Sequence, residues 1–374
     1  MISKKQELLH TPEGVWDHYG VDLKEYREIS GRILGKMHLY GYEDIKTPVF
    51  EYFDVFSREV GTTPSRELYK FFDRAGDTLV LRPDFTPSVA RCTAKYFMDE
   101  TKPLRFCYEG SAFVNITGLQ GKLSESTQMG AELMNDASVY ADGEMLALLI
   151  ESLLGTGLTQ FQITVGNVEY FKGICDAAGL DEETEAQLRD YISGKNYYAA
   201  ESLLIDTGVE KEYQEQFLKI TDFFDGAEEL REVLSTAPNE RSREAVQRLI
   251  DLMEVLRCHG LEKYVSCDLS LLSKYRYYTG IIFKGYTYGV GEAIATGGRY
   301  DALLEHFGKK APAIGFMIGL DTLIEALRMQ HIPIHTEEDP EVVFYYEDNY
   351  EEQLQKVREM RKEGIAAILC PAEG

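Results

Sequence analysis

The chain has 374 residues, room for one large domain with something smaller beside it, and its 44% hydrophobic and 27% charged content is that of an ordinary globular protein. A net charge of −24 and a pI near 4.8 argue against binding to nucleic acid. Phosphate recognition is built on Lys and Arg, and no basic cluster occurs in the sequence. No apolar run approaches the ~20 residues that span a bilayer, and Met1–Glu7 leads into no apolar signal segment, so a cytoplasmic protein without a membrane partner is expected.

Leu23–Tyr40 places Tyr26, Ile29, Ile33, Leu34 and Met37 on one helical face, with Gly41 to stop it. Short β-rich segments follow at Ile45–Phe50, Thr78–Arg82 and Arg105–Tyr108, and Pro83 and Pro87 mark breaks. Ala141–Leu154 reads as a helix and Phe161–Val165 as a strand. From about Val168 to Gly260 the chain turns acidic, helix-rich and poor in strand signals, as a helical insertion would. Its last helix carries an apolar stripe of Ala245, Val246, Leu249, Ile250, Met253 and Leu256, capped by Gly260. Strand signals return over Val265–Tyr288, and a helix is expected near Asp321–Gln330. After Pro333 a linker leads to a strand (Val342–Tyr346), a helix (Glu351–Arg361) and a strand (Ile365–Cys370). One such unit of ~35 residues cannot bury a core alone. These changes divide the chain into 1–167, 168–262, 263–332 and 333–374.

Gly31–Lys36 imitates a phosphate-binding loop, but the spacing is one residue short, no Ser or Thr follows, and the segment lies in a predicted helix. Gly289-Val290-Gly291 and Gly297-Gly298 lack dinucleotide-loop spacing and read as turns beside strands; Gly297-Gly298 would let backbone approach a ligand. Six cysteines are scattered without a CxxC pair, and Cys258-His259 with Cys267 falls short of the four paired ligands of a zinc site. Reduced thiols, no metal and no cofactor are therefore expected. No nucleophile constellation stands out. Asp84 and Thr86 follow a strand directly, while Gln128 and Glu132 lie four apart among Met129, Leu133 and Met134. Each alone reads as a surface polar group; together they would line a small polar pocket able to hold an amino acid.

Several segments, taken in order, resemble the class II aminoacyl-tRNA synthetase catalytic domain, and histidyl-tRNA synthetase in particular, over roughly residues 8–330. Gly41–Glu51 looks like the dimer-forming first class II motif. Leu81-Arg82-Pro83-Asp84-Phe85-Thr86 is similar to the family's LRPEGT segment. Tyr277-Tyr278-Thr279-Gly280 and Gly297-Gly298-Arg299-Tyr300-Asp301 match its two histidine-specific motifs, and Ile314–Asp321 resembles the third class II motif. The departures fall on arginines that in the family clamp ATP. Val114 stands in the FRxE motif, Thr322 ends the third motif, and Ser273 opens Ser273-Lys274-Tyr275-Arg276-Tyr277-Tyr278, where the family has RGLDYY. Losing even one cation aimed at developing phosphate charge costs about 3 kcal/mol. The amino-acid half is kept. The resemblance puts Asp84 at the α-amino group, and makes Thr86, Gln128, Glu132 and Tyr278 the residues around bound histidine.

That pattern resembles the histidyl-tRNA-synthetase-like regulatory subunits of ATP phosphoribosyltransferase. It implies an α+β fold, an antiparallel class II sheet of six or seven strands flanked by helices, with a helical insertion and a truncated C-terminal α/β segment. It also implies a homodimer with the Pro48 segment near its interface, and a hetero-oligomer with a short-form catalytic subunit. No catalysis of its own is expected; histidine would be the effector, inhibiting the first step of histidine biosynthesis. A divergent histidyl-tRNA synthetase, or a synthetase-like protein with another ligand or partner, are the alternatives.

Overall fold

The computed structural model describes residues 9–56, 63–116, 123–220, 223–224, 227–273, 277–336 and 338–372. The first half runs α1 (Val21–Leu39), β1 (Glu43–Asp44), β2 (Phe50–Tyr52), β3 (Lys70–Phe72), β4 (Thr78–Leu81), α2 (Thr86–Tyr96), β5 (Leu104–Phe113), β6 (Glu125–Met134), α3 (Val139–Gly155) and β7 (Phe161–Asn167). A mainly helical stretch follows, with α4 (Val168–Ala177), α5 (Glu182–Ser193), α6 (Tyr197–Asp206), α7 (Lys211–Lys219), β8 (Phe223–Phe224), α8 (Ala227–Thr236) and α9 (Glu240–His259). Then come β9 (Val265–Asp268), β10 (Ile281–Thr287), β11 (Ala295–Arg299), β12 (Ala313–Gly319), α10 (Leu320–Met329), β13 (Glu341–Tyr345), α11 (Tyr350–Lys362) and β14 (Ala367–Pro371). Two compact units result: Ile29–Pro333 with the N-terminal residues, and Ile334–Gly374 with Tyr19–Glu28. No helix among the described residues is long and apolar enough to cross a membrane.

The large sheet of the first unit has nine strands in the order β1-β5-β6-β12-β11-β10-β7-β9-β8. Its six central strands, β5 through β7 in that order, run antiparallel. At the flanks β1 joins β5 and β9 joins β7 in parallel, so the sheet is mixed and wider than the expected six or seven antiparallel strands. A small antiparallel sheet, β2-β4-β3, stands apart from it. The segment Ile45–Phe50 is not one strand. Pro48 has no N–H for a ladder, and the carbonyls of Thr47 and Pro48 instead accept from the Arg82 guanidinium at 3.0 and 3.3 Å. Regular pairing resumes only at Phe50.

Side-chain alternation sets the two faces of the sheet. On β6, Met129, Ala131 and Leu133 turn to one side while Gln128, Gly130 and Glu132 turn to the other. The apolar side is covered by α3, whose Met145, Leu146, Leu149, Ile150 and Leu153 are fully buried. Each such side chain gains about 2 kcal/mol over exposure. The Ser138 hydroxyl caps α3 by accepting from the Ala141 N–H. Outside it lies α9, packed on α3 and α4, capped by Asn239 and stopped by Gly260 at φ 68°. Only glycine adopts that left-handed conformation at little cost, which explains the abrupt end. Gly31–Lys36 sits in the interior of α1, with Lys36 Nζ 3.2 Å from Glu151, so it is not a phosphate loop. In the second unit α11 covers the parallel pair β13–β14 through Val343, Val357 and Ala367.

Candidate functional site

The polar face of the large sheet and the start of α2 enclose a cavity of about 140 Å³. The turn after β4 delivers Asp84, and α2 begins at Thr86, so both side chains stand at the mouth of the helix beside β6. Asp84, Thr86, Gln128 and Tyr278 line the cavity. Glu132 lies directly behind that lining and is 1% exposed. Its Oε1 accepts from the Thr86 hydroxyl at 2.8 Å and its Oε2 from the Tyr300 hydroxyl. All five residues singled out in the sequence therefore come together.

Glycine makes the room. Glu132 sits opposite Gly315 in the ladder, and Gly315 opposite Gly298. A Cβ at Gly315 would fall 1.6 Å from Glu132 Oε2, and one at Gly298 would fall 2.7 Å from the Tyr278 ring. Gly297-Gly298 is thus not a turn. It lies within β11, and what approaches Gly298 is the Tyr278 ring together with the Ile281 carbonyl.

The charges are unusual. Burial pushes the Asp84 carboxyl up to about 7, with the Thr86 backbone N–H drawing it partly back. Burial also pushes Glu132 up to about 8, against the hydrogen bonds from Tyr300 and Thr86. The Tyr278 hydroxyl is raised by burial and by both carboxylates. Asp84 Oδ1 and Gln128 Oε1 are buried without a hydrogen-bond partner in the protein. An orphaned acceptor costs about 1–3 kcal/mol, and two in one cavity are what a ligand rich in N–H donors would satisfy. Among the described residues, no Lys or Arg lines the cavity. Its volume is below the ~300–1,000 Å³ usual for larger ligands.

Two site residues escaped the sequence reading. Tyr300 holds Glu132, and Tyr108 lines the cavity while its ring stacks on Phe85 with centroids 4.2 Å apart. Tyr300 was visible as part of the GGRYD match; Tyr108 shares a strand face with the site only once β5 and β6 are placed in register. Of the three departures, Val114 lines the cavity itself. Ser273 lines a neighbouring cavity of about 200 Å³ that shares Tyr278. The Thr322 hydroxyl donates to Glu292 at 3.2 Å. Lys274 and Arg276 lie outside the described residues.

The profile of the histidyl-tRNA synthetase family matches residues 14–323. A protein of Acetivibrio thermocellus called ATP phosphoribosyltransferase regulatory subunit is 37% identical over 96% of this chain and 86% of its own length. The chain belongs to the family of ATP phosphoribosyltransferase regulatory subunits. A second member of that family, from Ruminiclostridium cellulolyticum, is also 37% identical, over 96% of this chain and 85% of its own length. Among solved structures, an ATP phosphoribosyltransferase regulatory subunit/histidyl-tRNA synthetase from Bacillus halodurans has a TM-score of 0.89 at 30% identity, covering 98% of this chain and 94% of that one. The histidyl-tRNA synthetase of Nostoc superposes with a TM-score of 0.81 at 21% identity, over 98% of this chain and 86% of that one, which shows the shared class II fold.

Proposed function

We infer that the protein is a non-catalytic, cytoplasmic subunit that binds histidine and transmits its inhibition to a short-form ATP phosphoribosyltransferase catalytic subunit, in a complex that the catalytic subunit needs for activity. The observation that carries this reading is a small cavity with two orphaned acceptors, Asp84 Oδ1 and Gln128 Oε1, and no Lys or Arg among the described residues that line it. In the proposed pose the α-ammonium meets Asp84 and Thr86, the imidazole N–H meets Glu132, and Gln128 and Tyr278 fix orientation. Phenylalanine would leave Glu132 without a donor. The same cavity suits ATP poorly, since Val114 and the other described lining residues offer phosphate no positive charge.

The assembly belongs to the same proposal. Val49, Phe50, Tyr52 and Phe72 are exposed around the small β2-β4-β3 sheet, with Phe50 edge-on to Phe71, an apolar surface suited to a homodimer. Residues 168–262 would act as an insertion between the two halves of the sheet domain, 1–167 and 263–332, with 333–374 as the separate α/β segment.

Calorimetry of histidine with wild type and Glu132→Ala, beside histidine inhibition of the complex reconstituted with a short-form catalytic subunit, tests the assignment. The variant should assemble and support activity but neither bind nor respond. Equal binding and equal inhibition would move the effector site elsewhere. Histidine-dependent exchange of pyrophosphate into ATP by the isolated chain would instead make it a synthetase.

A further inference from the structure

At one edge of the large sheet three ligand atoms of different chemistry converge. Among the described residues, His38, Asp44 and Cys107 are the one group of three His, Cys, Asp or Glu side chains whose ligand atoms all lie within 4.8 Å of one another. The backbone brings them there. His38 closes the last turn of α1, Gly41 reverses the chain at φ 80°, and β1 sets Asp44 directly opposite Cys107 in the parallel β1–β5 ladder. Asp44 Oδ1 is 3.1 Å from His38 Nε2 and 3.6 Å from Cys107 Sγ.

The two spacings to Asp44 are near those around a tetrahedral ion. With zinc bonds of about 2.05 Å to nitrogen, 2.1 Å to oxygen and 2.3 Å to sulfur, N and O would stand about 3.4 Å apart and O and S about 3.6 Å apart. Cys107 is buried, whereas His38 and Asp44 are exposed, so a fourth position faces solvent. One nitrogen, one oxygen and one sulfur suit a borderline cation, where calcium or magnesium would take oxygens alone. The net charge of −24 concentrates cations around the molecule. Without an ion the cluster is a surface His–Asp pair and a weak S–H donor, neither of which requires three such groups to meet.

We propose that His38, Asp44 and Cys107 form a zinc-binding site completed by water. Binding forms a Zn–S bond as the Cys107 thiol gives its proton to solvent, with no change of oxidation state. The ion ties the end of α1 to the β1–β5 edge, just ahead of the Thr47–Pro48 segment. The site shares no residue with the histidine pocket, so either assignment can fail alone.

The test strips the full chain with a chelator and titrates it with Co²⁺ as an optical probe, then Zn²⁺. One equivalent of cobalt should give a thiolate-to-metal charge-transfer band that zinc abolishes. Cys107→Ser should lose the band, His38→Ala should weaken binding at least ~10-fold, and Cys258→Ser, at an exposed thiol, should change neither. Because Cys107 is buried and its replacement can disturb folding, His38→Ala, at an exposed side chain, decides on its own. Unchanged cobalt affinity in His38→Ala, a band that survives in Cys107→Ser, or no saturable binding by wild type would overturn the site.

Discussion

Asp142 and Glu132 are both buried carboxylates in the same unit, on opposite faces of one sheet. Asp142 is fully buried and meets Arg299 at 2.5 Å and Arg248 at 2.7 Å. Arg299 in turn reaches the carbonyls of Asp136 and Ser138, and Arg248 that of Ala137. The cluster fastens α3 to β11 and to α9. Among the described residues, Glu132 has two hydroxyls and no cation, and Asp84 beside it has an oxygen with no hydrogen-bond partner. A charge that serves only the fold is neutralised within the protein. A charge kept short of partners is left for something that arrives later.

Breaking the paired side should give the largest effect. Arg299→Ala removes the better-buried partner of Asp142 and should destabilise the protein by about 3 kcal/mol or more, read from urea denaturation. A loss under ~1 kcal/mol would mean that Arg248 alone neutralises Asp142. On the unpaired side, Glu132→Gln should weaken histidine about 100-fold, roughly 2.7 kcal/mol, by calorimetry. Its effect on the ligand-free protein has the opposite sign. Glu132 titrates at about 8 in the fold against a usual 4.5, so between those values the native state holds more protons than the unfolded chain. Wild-type stability should therefore fall as pH rises through that window, and the Gln variant should show a flatter profile.

The most diagnostic effect is the coupling of protons to the ligand. Asp84 at about 7 and Glu132 at about 8 must ionise to receive an ammonium and an imidazole N–H. Histidine affinity should rise by up to about a hundredfold per pH unit below pH 7, where both groups must lose a proton, and by up to about tenfold per unit from 7 to 8, then level off, with protons released to the buffer. A flat profile would mean that both groups are already ionised, and the contrast with Asp142 would lose its basis.

The fold was legible where the chain repeats a pattern long enough to count. The stripe from Ala245 to Leu256 and the stop at Gly260 give α9 almost residue for residue. The flanks of the sheet were not legible, because two-residue strands such as β1 and β8 carry no periodicity. Ile45–Phe50 looked like a strand from its composition, but Pro48 and the pull of Arg82 on two carbonyls override it. The site residues were legible through resemblance. Composition alone reached only a polar pocket, since the closeness of Tyr108 and Tyr300 to Glu132 is a fact of register and not of spacing.

The pocket's volume is owed to hydrogens where methyls would otherwise be. Neither Gly298 nor Gly315 carries a positive φ, so conformation does not call for glycine there; space does, since an added Cβ would meet the Ile281 or Ala131 carbonyl as well as the Tyr278 or Glu132 side chain. A single codon change at either position would thus press on the chamber wall and on neighbouring backbone together. A lineage of such proteins holds this chamber open only while both positions stay glycine.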